Sequence, residues 1–490
     1  MHYNKKIGIN AILNVIKSGL SILFPIVTYP YALRVLGAEN IGKVSYSQSI
    51  ISYFSLIAMM GISTYGTREG SKIRNDKIEL DKFVSELFSI NIFTSAFSFF
   101  LLFISLLLVD KFSNYRILLI INSLSIIFTT FGIDWLNQVF EDYFFITIRS
   151  IVAHIVSMLI LFMFVRTSND YIVYAFLAVT TNMIICVSNW FYCRKYVKIK
   201  FTITPKWKKH LKPLLTLFAN AIAVSIYVNV DVTMLGWIKD DYDVGLYTVS
   251  VKIYSIIKTM LVAVYAVSIP RLASYAGENK LIEYRRLYTR MWKALSIIVI
   301  PAGVGLILVS KEVMMLMGGS EYLEATPALQ ILALSLIFAI FGGLLTACLN
   351  VTLGRESINL QATIVSAALN VVLNLFFIQK LSFVGASITT AISELFVVLF
   401  CYLKAKDISM YLEKNIVKRV FINVGIASST MGLTGYIFTI IMKPGIFRMI
   451  CVIPSCICVY ILILVCLKEE SVLEFWGYFK KKLKYQWLSM

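Results

Sequence analysis

The sequence predicts an all-α polytopic membrane protein with about fourteen transmembrane helices, and three observations predict it. Of 490 residues, 59% are hydrophobic and 15% are charged, whereas soluble domains carry about a quarter charged residues. Mean hydropathy is +0.79. The apolar residues gather into runs of roughly 20, the length a helix needs to cross a hydrocarbon layer of about 30 Å. The loops between the runs are too short for a soluble domain.

The first span, 9–33, places Asn10, Asn14, Lys17, Ser21 and Thr28 on one helical face. Lys17 lies ~12 Å in from the helix start, where a lysine costs about 2.5–3.5 kcal/mol on insertion scales. Pro25 and Pro30 interrupt the same span, a pattern tolerated where a helix lines a cavity. The second span, 44–65, repeats the stripe with Ser45, Ser49, Ser52 and Ser55; packing between helices is its plain reading. Spans 83–109, 115–139, 143–165 and 171–193 complete a first set of six. No small-residue cleavage site follows "MHYNKKIGIN", so a retained first span is expected.

The basic stretch "RKYVKIKFTITPKWKKHLK" (194–212) reads as a linker to a second set. Its spans are 213–237, with Asp231, then 245–269, with Lys252 and Lys258, then 292–316 and 327–351. Span 360–380 carries Asn370 and Asn374, and 382–404 carries Thr390 and Glu394. Lys258 is about 20 Å along its span, near the midplane where snorkelling helps least. Spans 416–442 and 446–467 follow, then a basic tail. The domain reading is therefore 1–195, a linker 196–212, 213–405, and 406–490 with the last two helices. "VLGAENIGKVSYSQSI" (35–50) and "MLGWIKDDYDVGLYTVSVKI" (234–253) echo one another, each with Leu-Gly, a turn, a second Gly and a helix rich in Ser, Thr and Tyr. Six spans separate the copies, so the halves read as parallel repeats about an axis along the membrane normal.

The net charge of +19 sorts by side. With the N-terminus inside, the inward loops hold about three times the Lys and Arg of the outward ones, which places both termini in the cytoplasm. The charge is then topology and attraction to anionic lipid, and no nucleic-acid partner is needed. The eight cysteines form no CxxC pair, and His2, His154 and His210 are scattered, so no structural metal or cofactor is expected. Buried cations in both sets, Lys17 and Lys258 first, with Lys252 and Arg34 as further members, suit an anion better than a structural ion pair with Asp231 or Glu394.

The chain resembles a known family. "FPIVTYPYALRVLGAENIGKVSYSQSI" with "GISTYGTREG" (61–70) and "GIDWLNQVFEDYFFITIRSI" (132–151) is similar to the Wzx-type polysaccharide repeat-unit flippases of the multidrug/oligosaccharidyl-lipid/polysaccharide exporter superfamily. "DWLNQVFED" departs from that family's usual aromatic-and-glycine pattern there. The resemblance implies two six-helix lobes in a V around a central cavity plus two C-terminal helices. It also implies an undecaprenyl-diphosphate-linked oligosaccharide as substrate, moved by alternating access from the inner to the outer leaflet of the bacterial cytoplasmic membrane. O-antigen or capsule synthesis would be the setting, with a polysaccharide polymerase and a chain-length regulator as partners. Lys17, Lys258, Lys252 and Arg34 would then hold the diphosphate, while Asn10, Asn14, Ser21 and Ser52 line the cavity.

No P-loop occurs, and the superfamily resemblance implies an ion gradient, Na⁺ or H⁺, as energy source. Asp231, Asn370, Asn374 and Thr390 fall at similar depth and form an all-oxygen set suited to a hard cation. Two other readings compete. A multidrug antiporter of the same superfamily would need an acidic or aromatic cavity. A membrane-embedded polymerase or glycosyltransferase would need a sizeable external catalytic loop, whereas Asp240, Asp241 and Asp243 sit in a tight turn. Reporter fusions at Met490 and beside Lys206 should both report a cytoplasmic location; a periplasmic signal from either overturns the span assignment.

Overall fold

A chain that must satisfy every peptide group without water has the helix as its repeating solution. The computed structural model describes residues 2–203, 205–405 and 407–469, with backbone alone for 2–18 and Ser21, and among the described residues there is no strand. The chain forms two compact units, 1–248 and 249–490. Unit 1 holds α1 (His2–Met59), α2 (Ile62–Lys72), α3 (Lys77–Leu108), α4 (Arg116–Gly132), α5 (Trp135–Val139), α6 (Tyr143–Phe164), α7 (Tyr171–Cys193), α8 (Trp207–Ile238) and the start of α9 (Asp241–Ala266). Unit 2 holds the rest of α9, then α10 (Ile269–Gly277), α11 (Leu281–Gly318), α12 (Thr326–Gly343), α13 (Glu356–Lys404), α14 (Ile408–Tyr411), α15 (Lys414–Ile441) and α16 (Ile446–Cys466).

Twelve stretches among the described residues are long and apolar enough to span a membrane. Two of them, Ile22–Lys72 with 51 residues and Glu356–Lys404 with 49, are each long enough for two crossings. Each contains a break: α1 turns at Gly37 (φ 75°) and α13 at Ser382 (φ 50°). Counting both doubled stretches twice gives the fourteen crossings the hydropathy predicts. The predicted fourth span, 115–139, is divided, because Ile133 takes a left-handed φ of 42° between α4 and α5.

The linker is not a loose tether where it passes α3. The amides of Lys198, Lys200 and Thr202 donate to Asp81 Oδ1 (2.9 Å), Ser85 Oγ (3.0 Å) and Ser89 Oγ (2.9 Å). Four residues of helix rise about 6 Å and two residues of extended chain about 6.6 Å, so the two repeats stay in register. The family-like stretches also meet. A Cβ on Gly66 would lie 2.7 Å from the Trp135 ring, and one on Gly70 would lie 3.1 Å from Val139. The "DWLNQV" turn thus seats on a groove that only glycine can open. In unit 2, Trp292 stacks on Phe341 at 5.1 Å beside Phe421 in a core built from α9 to α15.

The echoed stretches pack against each other within unit 1. A Cβ on Gly42 would sit 1.7 Å from the carbonyl oxygen of Asp241, and one on Gly245 would sit 1.9 Å from that of Ala38. Each glycine faces the carbonyl four residues before the other, which is the reciprocity of a local two-fold contact. Small residues let helix backbones approach this closely in membranes. Tyr46 lies over Gly236, whose Cβ would meet its ring at 2.2 Å, and Tyr115 donates to Asp241 Oδ1 at 2.7 Å. Gly42→Ala and Gly245→Ala should each destabilise by about 1–3 kcal/mol, because backbone cannot move aside as a side chain can. Gly305→Ala, with open space at its Cβ, should leave the melting temperature of the detergent-purified protein unchanged.

Candidate functional site: a neutral cavity and its surrounding charges

Unit 1 carries an open cavity of about 500 Å³. Gln48, Ser52 and Ser55 reach it from α1, Asn122, Ser125 and Thr129 from α4, Asn182 from α7 and Ser225 from α8. Of the polar stripe on the second span, Ser52 and Ser55 face the cavity, while Ser49 donates to Tyr46 O at 2.7 Å and accepts from Thr233 at 3.1 Å. None of the lining side chains among the described residues is charged. Three of these groups already donate along their own helices: Ser52 to Ser49 O at 2.6 Å, Ser125 to Asn122 O at 2.6 Å and Thr129 to Ser125 O at 2.9 Å. Asn122 differs. It is 4% exposed, and its amide nitrogen has no hydrogen-bond partner among the described residues. A smaller cavity of about 180 Å³ shares Gln48 and Ala178 with it and is lined by Pro25, Thr28 and His154, on which Phe24 stacks at 4.9 Å. A third, of about 400 Å³, lies in unit 2 between α11, α15 and α16 and is apolar, with Pro301, Leu306, Met431, Val452 and Tyr460 in its wall.

The predicted cations take different positions. The side chains of Asn10, Asn14, Lys17 and Ser21 lie outside the described residues. Arg34 is exposed on α1, and Lys252 is half-buried on α9. Lys258 is paired: its Nζ lies 2.8 Å from Glu394 Oε1 on α13, which also accepts from the Tyr254 hydroxyl at 3.1 Å. The carboxylate that the sequence offers as an alternative partner is the one it meets.

Asp231 is buried in unit 1 and accepts from the Tyr247 hydroxyl at 2.7 Å. Asn370 and Asn374 bond each other at 3.0 Å in unit 2. The hydroxyl on Asn374 Oδ1, at 2.5 Å, is that of Thr389, while Thr390 donates back to Ala386 O at 3.0 Å. One residue turns a helical side chain by about 100°, so depth alone does not tell the two threonines apart. Among the described residues no group of His, Cys, Asp and Glu suits a metal ion.

Two arginines near the ends of predicted spans are buried. Arg149 pairs with Asp134 in unit 1, and Arg448 pairs with Glu312 in unit 2. His210 and Glu86, both buried, meet at 2.9 Å, with Tyr65 on the other ring nitrogen at 3.1 Å. At the N-terminus of α6, Asp142 is partly buried, which works against its charge. Hydrogen bonds from Tyr192, Tyr196 and the Phe145 amide outweigh that and hold its carboxyl below the usual aspartate range. Glu394→Gln should destabilise the protein by about 3 kcal/mol by stranding Lys258, and adding Lys258→Met should restore most of that loss. Thermal melting of the three variants in one detergent checks it.

Comparison with known proteins adds the following. The model of a family described as polysaccharide biosynthesis protein matches residues 7–276, and that of the MatE family matches residues 217–376. A "Putative O-antigen transporter" of Shigella dysenteriae is 23% identical over 397 residues, covering 80% of this chain and 98% of that protein. The capsular polysaccharide biosynthesis protein CapF of Staphylococcus aureus is 22% identical, covering 76% and 91%. Among solved structures, the lipid II flippase MurJ in an inward closed conformation aligns with a TM-score of 0.73 at 16% identity, covering 94% of this chain and 99% of that one. An inward-facing multidrug transporter of the MATE family and MOP superfamily aligns with a TM-score of 0.57 at 15% identity, covering 81% and 99%. These structures share its fold.

Proposed function

We infer the function from one premise: the chain belongs to the polysaccharide biosynthesis protein family. On that premise we propose that it is a flippase for lipid-linked oligosaccharide, carrying repeat units across the bacterial cytoplasmic membrane with both termini in the cytoplasm. The observation that carries the reading is the cavity of unit 1, whose lining among the described residues is uncharged. Hydroxyls and carboxamides without a charge suit a sugar, which offers many donors and acceptors and no net charge. A cation antiporter would ask for a carboxylate there. The relatives named for transport and flipping support the reading, and a polymerase or transferase has no catalytic loop to work from.

The finer reading is also proposed. The lipid is undecaprenyl diphosphate, and the two anionic phosphates need fixed cations in a low-dielectric layer. Lys17, Lys258, Lys252 and Arg34 are the candidates. Lys258 serves only by sharing its charge between Glu394 and the diphosphate, which makes Glu394 a placeholder for the substrate. The apolar cavity between α11, α15 and α16 suits a hydrocarbon chain. Coupling to Na⁺ or H⁺ and exchange of the product with a polymerase and chain-length regulator belong to the same proposal.

Asn122→Leu tests the carrying observation. It keeps the volume and removes the hydrogen bonds, so a sugar group held there loses about 1–3 kcal/mol. Export of repeat units in a transport-deficient strain should fall roughly tenfold or more with protein abundance unchanged. Full export by Asn122→Leu overturns the assignment of this cavity to the sugar.

A further inference from the structure

The first turns of α11 carry Arg285, Arg286, Arg290 and Lys293, which the sequence explains as topology. The structure divides them. Arg286, Arg290 and Lys293 stand four and three residues apart, on one helical face, and line a cavity of about 270 Å³ with Thr289, Glu413 and Ile416. Arg285, exposed as Arg286 and Arg290 also are, does not line it.

The opposite wall is the connection before α15, and it is fastened. Arg355 holds Asp407 through two hydrogen bonds of 2.7 and 2.5 Å. The Glu413 amide donates to Thr289 Oγ1 at 3.1 Å. Glu413 is the N-cap of α15 and its side chain caps nothing, so the pocket also meets the positive end of a 28-residue helix. Four crossings separate the loops on either side of the pocket, so both lie at one membrane face. Below Lys293, α11 turns apolar, which puts the cavity at the level of lipid head groups.

We propose that this pocket binds the phosphodiester of an anionic phospholipid whose head group carries hydroxyls, phosphatidylglycerol being the simplest. Two guanidinium forks and an ammonium match phosphate oxygens. The Glu413 carboxylate accepts hydrogen bonds from head-group hydroxyls and repels a second negative charge, which disfavours a diphosphate. Three cations against one carboxylate leave a net positive pocket, which favours an anionic lipid over a zwitterionic one. This site goes beyond the transport reading and does not depend on it.

Native mass spectrometry of the full chain in non-ionic detergent tests the proposal, with titration of dioleoylphosphatidylglycerol, dioleoylphosphatidylethanolamine, farnesyl diphosphate and inorganic phosphate. One phosphatidylglycerol should persist as the others wash off. Arg286→Gln and Arg290→Gln should each weaken it about fivefold, at roughly one surface charge per substitution, and Arg285→Gln should leave it unchanged. Melting temperatures measured without lipid separate loss of the site from loss of the fold; if one variant fails to fold, the other decides. Equal retention of phosphatidylethanolamine, tighter binding of farnesyl diphosphate, displacement by inorganic phosphate, or equal weakening by Arg285→Gln each overturns it.

Discussion

An ionised side chain in hydrocarbon must find its counter-charge within the protein, and this constraint orders both units. The cost of leaving one unpaired exceeds what a helix contact supplies. Asp134 therefore accompanies Arg149, Glu312 accompanies Arg448 and Glu394 accompanies Lys258. The Lys258–Glu394 and Arg448–Glu312 pairs each join helices 136 residues apart in sequence, and Arg149–Asp134 ties α6 to the turn before α5. The pairs fix which faces meet, a task that the hydrophobic effect cannot do between helices already bathed in lipid. Against that background a cavity of about 500 Å³ whose lining, among the described residues, mixes polar and apolar side chains with no charge is a different kind of space.

Close packing of backbone supplies the second means of fixing helices. At the Gly42–Gly245 crossing the backbones of α1 and α9 touch carbonyl to Cα, in a contact that repeats itself about a local axis. Hydrogen bonds surround it: Lys111 Nζ donates to Trp237 O at 3.0 Å, Tyr115 to Asp241 Oδ1, and the Tyr46 and Tyr115 rings meet at 4.8 Å. The echo between 35–50 and 234–253 is thus more than shared ancestry of sequence. Both copies keep a glycine because each must admit the other's backbone.

The crossings were legible because a bilayer imposes a length and a polarity on every span. Even the doubled α1 and α13 resolve by length alone. What hydropathy could not show is which face a polar residue takes and whom it meets. Lys258 reads as a buried cation, but its partner is 136 residues away. Arg149 and Arg448 lie near span ends, where hydropathy does not show the carboxylates they meet. Thr389 and Thr390 have the same depth and composition, and only the local helix phase separates them. Asn122, within "INSLSIIFTT", has no sequence signal beyond that of ordinary helix packing; it stands out only because its neighbours leave its amide unpartnered. The family resemblance was readable where glycines, prolines and the Trp135 turn constrain backbone, and these constraints are rare enough to recognise.

The same physics explains why the sugar itself is not written in the sequence. On the proposed reading, recognition exchanges water for sugar hydroxyls at groups that already hold one intrahelical bond, and each exchange nets only about 0.5–1.5 kcal/mol. Many small terms of this kind tolerate substitution and conserve a composition of Ser, Thr, Asn and Gln, not a motif. Discrimination must then come from the few groups that have no alternative partner, because a sugar lacking the matching acceptor strands them at about 1–3 kcal/mol. Within the lining of this cavity that description fits Asn122, whose donor is fixed by burial on a helix and free of the self-bonding that occupies Ser52, Ser125 and Thr129. Specificity in such a cavity is set by its least satisfied polar atom, while its capacity to hold a sugar at all is set by the rest.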